Sequence, residues 1–228
     1  MTMRQISPAQ ERWALLIMAI LFALAAPFLP ILGVFLLLGW TAPLIVLIVR
    51  HGYGYTVPGV LAAAGFYYAV LGAMGAMHTM LLVVPPALLF GFGLRRKWAA
   101  VRLVRWGLAA ALSGTTVSLL AVALIFGVDP LAPFVDAVRE SYQAIGSAVQ
   151  SGGSLTPSEA QAFEKQVSSL METVSLLAPT IFLVEAALAV LLNFFAAGLL
   201  LSRVGEKMPK LPPFSEWRFS VYFLFLFG

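Results

Sequence analysis

The chain has 228 residues, of which 61% are hydrophobic and only 11% charged, and it contains no cysteine. Ordinary soluble domains carry about 25% charged residues, so this composition excludes a soluble globular protein. The lack of cysteine excludes disulfides and thiolate metal sites. With a mean hydropathy of +0.95, we expect one all-α domain over residues 1–228, a polytopic transmembrane helical bundle.

Apolar runs, taken in chain order, predict about six membrane spans, because one crossing needs about 20 apolar residues. The uncharged stretch 13–49 accommodates two spans, separated by a break at Pro27 and Pro30. Residues 51–94 accommodate two more, with a turn within GAMGAMH. The fifth and sixth spans are residues 101–126 and 176–201. Residues 219–228 are too few to cross, so they either begin an incomplete seventh span or lie at the interface; we expect the first, with a chain that continues beyond Gly228.

The distribution of basic residues predicts the orientation, since Lys and Arg are retained on the cytoplasmic side. If the helices alternate, all 14 basic residues except Arg139 and Lys165 fall on the side of the N-terminus. We therefore expect a bacterial cytoplasmic (inner) membrane protein with a cytoplasmic N-terminus. This segregation accounts for the net charge of +4, and we expect no binding of nucleic acid.

Residues 127–175 form an acidic insert on the opposite side, and they predict an extracytoplasmic amphipathic helical hairpin. Apolar residues from Leu131 to Val149 recur at helical spacing. The run TPSE matches a capping box, with Thr156 as the cap, Pro157 at the first helical position and Glu159 three residues on. The hairpin either rests on the bundle or headgroups, or forms a lid over an outward-facing cavity.

Two segments resemble the YybS-like family of bacterial integral-membrane proteins of unknown function: RHGYGYTVPGVLAAAGFYY and LLNFFAAGLLLSRVGEKMPKLPPFSEWRF. The chain departs from the family at Phe219 and Ser220, where a proline is common. That family is distantly grouped with the substrate-binding S components of energy-coupling factor (ECF) vitamin transporters. The resemblance implies a transport role, with an ECF scaffold and ATPase subunits as partners.

The resemblance also bears on Ala19 and Ala23 in the first span. In S components a similar alanine motif docks on the transmembrane scaffold, so these two residues are candidate partner-docking residues. The same spacing of small residues also lets two helices of one chain approach closely.

Motifs for catalysis and metal binding are absent from the sequence. It contains no P-loop, no H-E-x-x-H and no G-x-S-x-G. Its two histidines, His51 and His78, fall on opposite sides of the predicted membrane. We expect no enzymatic activity, no metal site and no cofactor, and energy for any active transport must come from a partner or an ion gradient.

The sixth span contains Glu185 and, two turns later, Asn193, in an otherwise apolar run. A charge at this depth is costly, so such residues usually face the bundle interior or a wet cavity. Glu185 either contacts a ligand or ion, or is protonated and bonded to hydroxyls of the fifth span, where SGTTVS includes Thr116.

Other candidate solute-binding residues are Tyr67, Tyr68 and His78, which could line an outer pocket. The tyrosines could equally belong to an interfacial aromatic belt, and His78 could be a solvated turn residue. Pro85 and Pro86 must disrupt the fourth helix, and the carbonyls they free require protein or a wet cavity beside them.

Together these features predict an S-component-like protein that binds a small solute from the outer side, within helices four to six. The alternative is a non-transporting scaffold in the lipid bilayer. Its basic cytoplasmic loop, RRKWAAVRLVR, and its acidic outer hairpin would recruit protein partners.

Overall fold

The computed structural model describes residues 7–129, 132, 135–136, 139–141, 144 and 157–213. Regular structure within these residues is helical, as the composition predicts, and none of them is in a strand. The helices are α1 (Pro8–Ala25), α2 (Pro30–Gly39), α3 (Ala42–His51), α4 (Thr56–Arg95), α5 (Ala100–Phe126) and α6 (Pro157–Arg203). The predicted seventh span, residues 219–228, lies outside the described residues.

The first helix has well-defined limits. Ser7 Oγ accepts a hydrogen bond from the Gln10 N–H, and Gln10 Oε1 accepts one from the Ser7 N–H, which forms a reciprocal capping box. α1 gives way to a 3-10 turn at Ala26–Phe28, and α2 begins at Pro30. Proline is suited to a first helical turn because it has no N–H to donate. The predicted break at Pro27 and Pro30 is confirmed.

The second apolar run, predicted as one helix, is divided into α2 and α3 by two turn residues, Trp40 and Thr41. Pro43 is the second residue of α3. Its missing N–H and its ring, which crowds the Gly39 carbonyl four residues earlier, favour a break in the helix at this point. The break therefore places one aromatic and one hydroxyl side chain inside the bundle.

The fourth helix folds back on itself at Gly72, within the predicted turn. Gly72 has φ 72° and ψ −179°, a conformation that is strained for residues with a side chain. Tyr53 Oη, just before α4, donates a hydrogen bond to the Leu88 carbonyl at 3.2 Å. These residues are 35 apart, so a straight helix would separate them by about 50 Å. The two halves of α4 are consequently antiparallel.

Pro85 and Pro86 do not disrupt α4, contrary to the prediction. The helix continues through them to Arg95. Proline at 85 removes the usual donor to the Leu81 carbonyl, and that oxygen lies against Gly114 of α5, where a Cβ atom would overlap it. Because α5 approaches so closely, backbone rather than lipid covers the freed carbonyl.

The last helix is longer than predicted. α6 is continuous over 47 residues, from Pro157 to Arg203, about 70 Å at 1.5 Å per residue. Its start at Pro157 agrees with the predicted capping box, whose cap, Thr156, lies outside the described residues. The helix continues across residue 175, the predicted boundary between the insert and the sixth span, and its apolar part of span length begins at Leu176. Most of the first predicted insert helix, from Leu131 to Val149, lies outside the described residues.

Contacts at one end of the bundle bring several helix ends together. Arg50 Nε lies 2.6 Å from Glu11 Oε1, and Arg50 Nη1 donates to the Val204 carbonyl at 3.0 Å. Arg12 Nη1 donates to Tyr55 Oη at 2.6 Å. We call this the basic end, and the opposite end, which contains Gly72, the turn end. Arg12 and Arg50, which were both predicted to lie on the side of the N-terminus, do lie together at this end.

The outer surface of the bundle is apolar. Large hydrophobic side chains are exposed on several helices, including Leu61, Leu124, Ile125, Leu176 and Leu199. Within the described residues, four helical stretches are long and apolar enough to cross a membrane: Pro8–Phe28, Tyr53–Arg95, Ala100–Phe126 and Leu176–Arg203. Such a surface is stable in lipid and would aggregate in water.

Candidate functional site

The two ionisable candidates of the spans, His78 and Glu185, contact each other. His78 Nε2 on α4 lies 3.4 Å from Glu185 Oε2 on α6. Their side chains are 25% and 30% exposed, so the pair is accessible from outside the protein interior. The ring of Phe182, one turn from Glu185, meets the His78 ring edge-on at 6.0 Å. The sequence singled out both residues but did not predict that they pair.

The hydroxyls of α5 are not the partners of Glu185. Thr116 is exposed and donates to the Leu112 carbonyl of its own helix at 2.9 Å. Thr115 and Ser118 face inward instead, and their hydroxyl oxygens have no hydrogen-bond partner among the described residues. α4 supplies the partner because its second half, beyond Gly72, brings His78 alongside α6.

Asn193 forms a second polar contact, deeper in the bundle. Thr41 Oγ1, in the break between α2 and α3, donates to Asn193 Oδ1 at 2.7 Å. Asn193 Nδ2 donates to the Ala189 carbonyl at 2.9 Å. Both side chains are buried, and the contact ties α6 to the broken helix. Thr41 was not predicted; its signal in the sequence was a polar residue two positions before a proline in an uncharged run.

The two tyrosine candidates lie in different environments. Tyr67 is fully buried, and its ring meets that of buried Trp40 edge-on at 6.2 Å. Tyr67 Oη and Trp40 Nε1 have no hydrogen-bond partner among the described residues. Tyr68 is 65% exposed on the outer surface, as expected for a lipid-facing or interfacial side chain. Of the two tyrosines, Tyr67 therefore lies in the interior of the bundle and Tyr68 does not.

Ala19 and Ala23, the candidate docking residues, are completely buried in the bundle core. α1 packs there against α3 and α4. The small side chains thus permit close approach between helices of this chain. Docking of another protein on these two residues would require their exposure.

The described residues contain no cluster of three or more His, Cys, Asp or Glu side chains that could hold a metal ion. His51 lies near Glu11 at the basic end, with 3.7 Å between Nε2 and Oε2. It is separate from the contact between His78 and Glu185. Among the described candidates, two polar contacts are formed, one partly exposed between His78 and Glu185 and one buried between Thr41 and Asn193.

The apolar exterior and the long apolar helices, with few polar pairs between them, define an integral membrane protein. The chain matches the family described as "Predicted membrane protein (DUF2232)" over residues 16–228, and it belongs to that family. No curated protein and no solved structure matches the chain.

Proposed function

We propose that this protein binds a small solute from the turn end, in the manner of the S components that its sequence resembles. The observation that carries the proposal is the contact between His78 and Glu185. It joins α4 and α6 through two ionisable side chains that lie within the apolar candidate spans of these helices, and both side chains are partly exposed.

The chemistry of this pair supports binding rather than packing alone. Ionisable side chains in a span are costly unless they pair or face water. A pair that is partly exposed can exchange one partner for a solute: Glu185 can accept from a cationic or N–H group, and His78 can donate to an acceptor. The edge of Phe182 beside His78 adds an apolar wall, as ligand pockets commonly have.

The orientation we propose has the basic end in the cytoplasm and six crossings. The combined α2 and α3, the two halves of α4, α1, α5 and the apolar part of α6 would supply them. Because Lys and Arg are retained on the cytoplasmic side, the turn end would face the outside. A cysteine-free chain permits a direct test with Val128→Cys and Lys207→Cys. We expect outside labelling of the first in intact cells and of the second only after permeabilisation; the reverse pattern would overturn the orientation.

Mass spectrometry of small molecules retained through gentle purification would identify the solute. Its binding would then be compared in wild type, Glu185→Gln and Asn193→Ala. Glu185→Gln keeps the side-chain shape, so we expect unchanged or higher thermal stability. Loss of one partner from a partly exposed charged contact should weaken binding by about 1.5–3 kcal/mol, the range for a hydrogen bond to a charged group.

An unchanged solute affinity in Glu185→Gln would remove the pair from the site. Co-purification distinguishes the two classes of function. An ECF scaffold with ATPases, or a bound solute, would support transport. Unrelated envelope proteins without a solute would favour the scaffold alternative.

A further inference from the structure

A cavity of about 210 Å³ lies at the basic end, between the first turns of α1 and α4, far from the contact between His78 and Glu185. Its lining residues are Arg12, Trp13, Leu16, Tyr55 and Pro58. Trp13 is 65% and Tyr55 is 47% exposed, so the cavity opens on the outer surface of the bundle. Its walls are mainly apolar, with a single cationic side chain.

Among the described residues, no carboxylate forms an ion pair with Arg12. Its Nη1 donates to Tyr55 Oη at 2.6 Å, and its guanidinium lies 4.6 Å from the centre of the Tyr55 ring. The adjacent carboxylate, Glu11, contacts Arg50 through both oxygens, at 2.6 and 3.1 Å. The hydroxyl and ring of Tyr55 thus hold the cation at the cavity wall.

The position of the cavity along the helices matches the membrane interface. Arg12 and Trp13 belong to the first six residues of the candidate span Pro8–Phe28, and Tyr55 and Pro58 to the first six of Tyr53–Arg95. Arg, Trp and Tyr side chains commonly mark the depth of lipid headgroups. Leu16 lies about one turn further along α1, towards the apolar middle of the candidate span Pro8–Phe28. Both helices also direct their positive N-terminal ends to this level.

We propose that this cavity binds one anionic phospholipid, with its phosphodiester on Arg12 and the upper part of an acyl chain along Leu16 and Pro58. The planar guanidinium matches a phosphate group in charge and geometry. Tyr55 Oη accepts from Arg12, so its own proton is free to be donated to a phosphate oxygen. A zwitterionic lipid would bring an ammonium group near the same cation, which disfavours it.

The test measures lipid binding to the purified full chain by native mass spectrometry. The probes are phosphatidylglycerol and phosphatidylcholine with identical acyl chains. We expect the wild type to prefer phosphatidylglycerol, and Arg12→Gln to lower that affinity about fivefold, the effect of one basic residue at an anionic surface. Affinity for phosphatidylcholine should not change.

Arg102→Gln is the matched control. Arg102 also belongs to the basic end and also stacks on an aromatic ring, Trp98, with 4.2 Å between guanidinium and ring centre. It does not line the cavity, so its substitution should alter phosphatidylglycerol affinity less than twofold. Equal losses in both variants would indicate general attraction to basic residues and would overturn the proposal.

A second variant, Tyr55→Phe, keeps every charge and removes only the hydroxyl, so it tests the site if Arg12→Gln does not fold. We expect a loss of about two- to tenfold in phosphatidylglycerol affinity, as for one hydrogen bond. Equal affinity for both lipids in the wild type, or equally tight binding of glycerophosphate without acyl chains, would exclude a lipid site. Glu185→Gln should leave lipid binding unchanged, which separates this proposal from the solute site.

Discussion

His78 and Glu185 are 107 residues apart in the sequence, yet their Nε2 and Oε2 atoms lie 3.4 Å apart. Because the contact joins α4 to α6, their contributions to stability should be coupled. We expect His78→Gln and Glu185→Gln together to change the free energy of unfolding in detergent by a value that departs from the sum of the two single effects. A coupling of about 0.5–3 kcal/mol is typical of residues in contact. Strict additivity would contradict the contact.

Gly114→Ala should destabilise the protein, because its Cβ would overlap the Leu81 carbonyl oxygen. The expected loss is about 1–3 kcal/mol in the free energy of unfolding, as for overpacking of a close contact. Gly65→Ala is the matched control. It also lies in a helix, but a Cβ there meets nothing within 4 Å, so stability should be unchanged or raised by up to about 1 kcal/mol. Similar losses in both variants would contradict the close approach of α4 and α5.

Lys97→Gly should stabilise the end of α4. Trp98 N–H donates to the Gly93 carbonyl and Lys97 N–H to that of Leu94, the pattern of a Schellman motif. Lys97 occupies its left-handed position with φ 55°, which costs a residue with a side chain about 1–2 kcal/mol. We expect a gain of about 1 kcal/mol, measured by thermal unfolding in detergent.

The end of α6 provides the converse variant. Glu206 N–H donates to the Leu201 carbonyl, and Gly205 occupies the left-handed position with φ 80°. Gly205→Ala should therefore lower stability by about 1 kcal/mol. For the variant at the end of α4, destabilisation by Lys97→Gly would contradict the prediction. It would show that the Lys97 side chain stabilises the protein by more than its left-handed backbone conformation costs.

Thr41→Val removes the donor to Asn193 Oδ1 while keeping the shape of the side chain. Because both residues are buried, we expect a loss of about 1–3 kcal/mol in the free energy of unfolding. Thr116→Val is the control, since the Thr116 hydroxyl is exposed and donates within its own helix; surface changes of this kind usually stay within about 0.5 kcal/mol. Equal effects would show that the contact between Thr41 and Asn193 contributes little.

The features of the fold that depend on local chemistry could be predicted from the sequence. Pro27, Pro30 and Gly72 impose backbone constraints whatever surrounds them, and the turns lie where these residues predict them. Pro85 and Pro86 were interpreted wrongly because their cost depends on a neighbouring helix. Gly114, distant in the sequence, provides the cover that keeps α4 regular.

The candidate site was less predictable, because it depends on how helices align. The free-energy cost of placing a polar side chain in lipid indicates that Glu185 and Asn193 should face inward or pair. It does not determine which residue is the partner. His78 and Thr41 are 107 and 152 residues away from them, and a shift of one residue in the packing of α6 would replace both partners. The order of residues within one helix does not specify which residues of a neighbouring helix lie beside it.

The link between Arg50 and Val204 has a consequence for biosynthesis. The two residues are 154 apart in the sequence, and ribosomes add about 5–20 residues each second. Arg50 therefore waits about 8–30 s after its own synthesis before its carbonyl acceptor exists, with Glu11 as its only earlier partner in this cluster. During that interval the contacts of α6 with α2, α3, α4 and α5 are absent, so the described bundle is complete only once α6 has been made. A chain terminated before α6 would lack the final partners of Thr41 and Arg50, and we expect quality-control proteases to degrade it faster than the full chain.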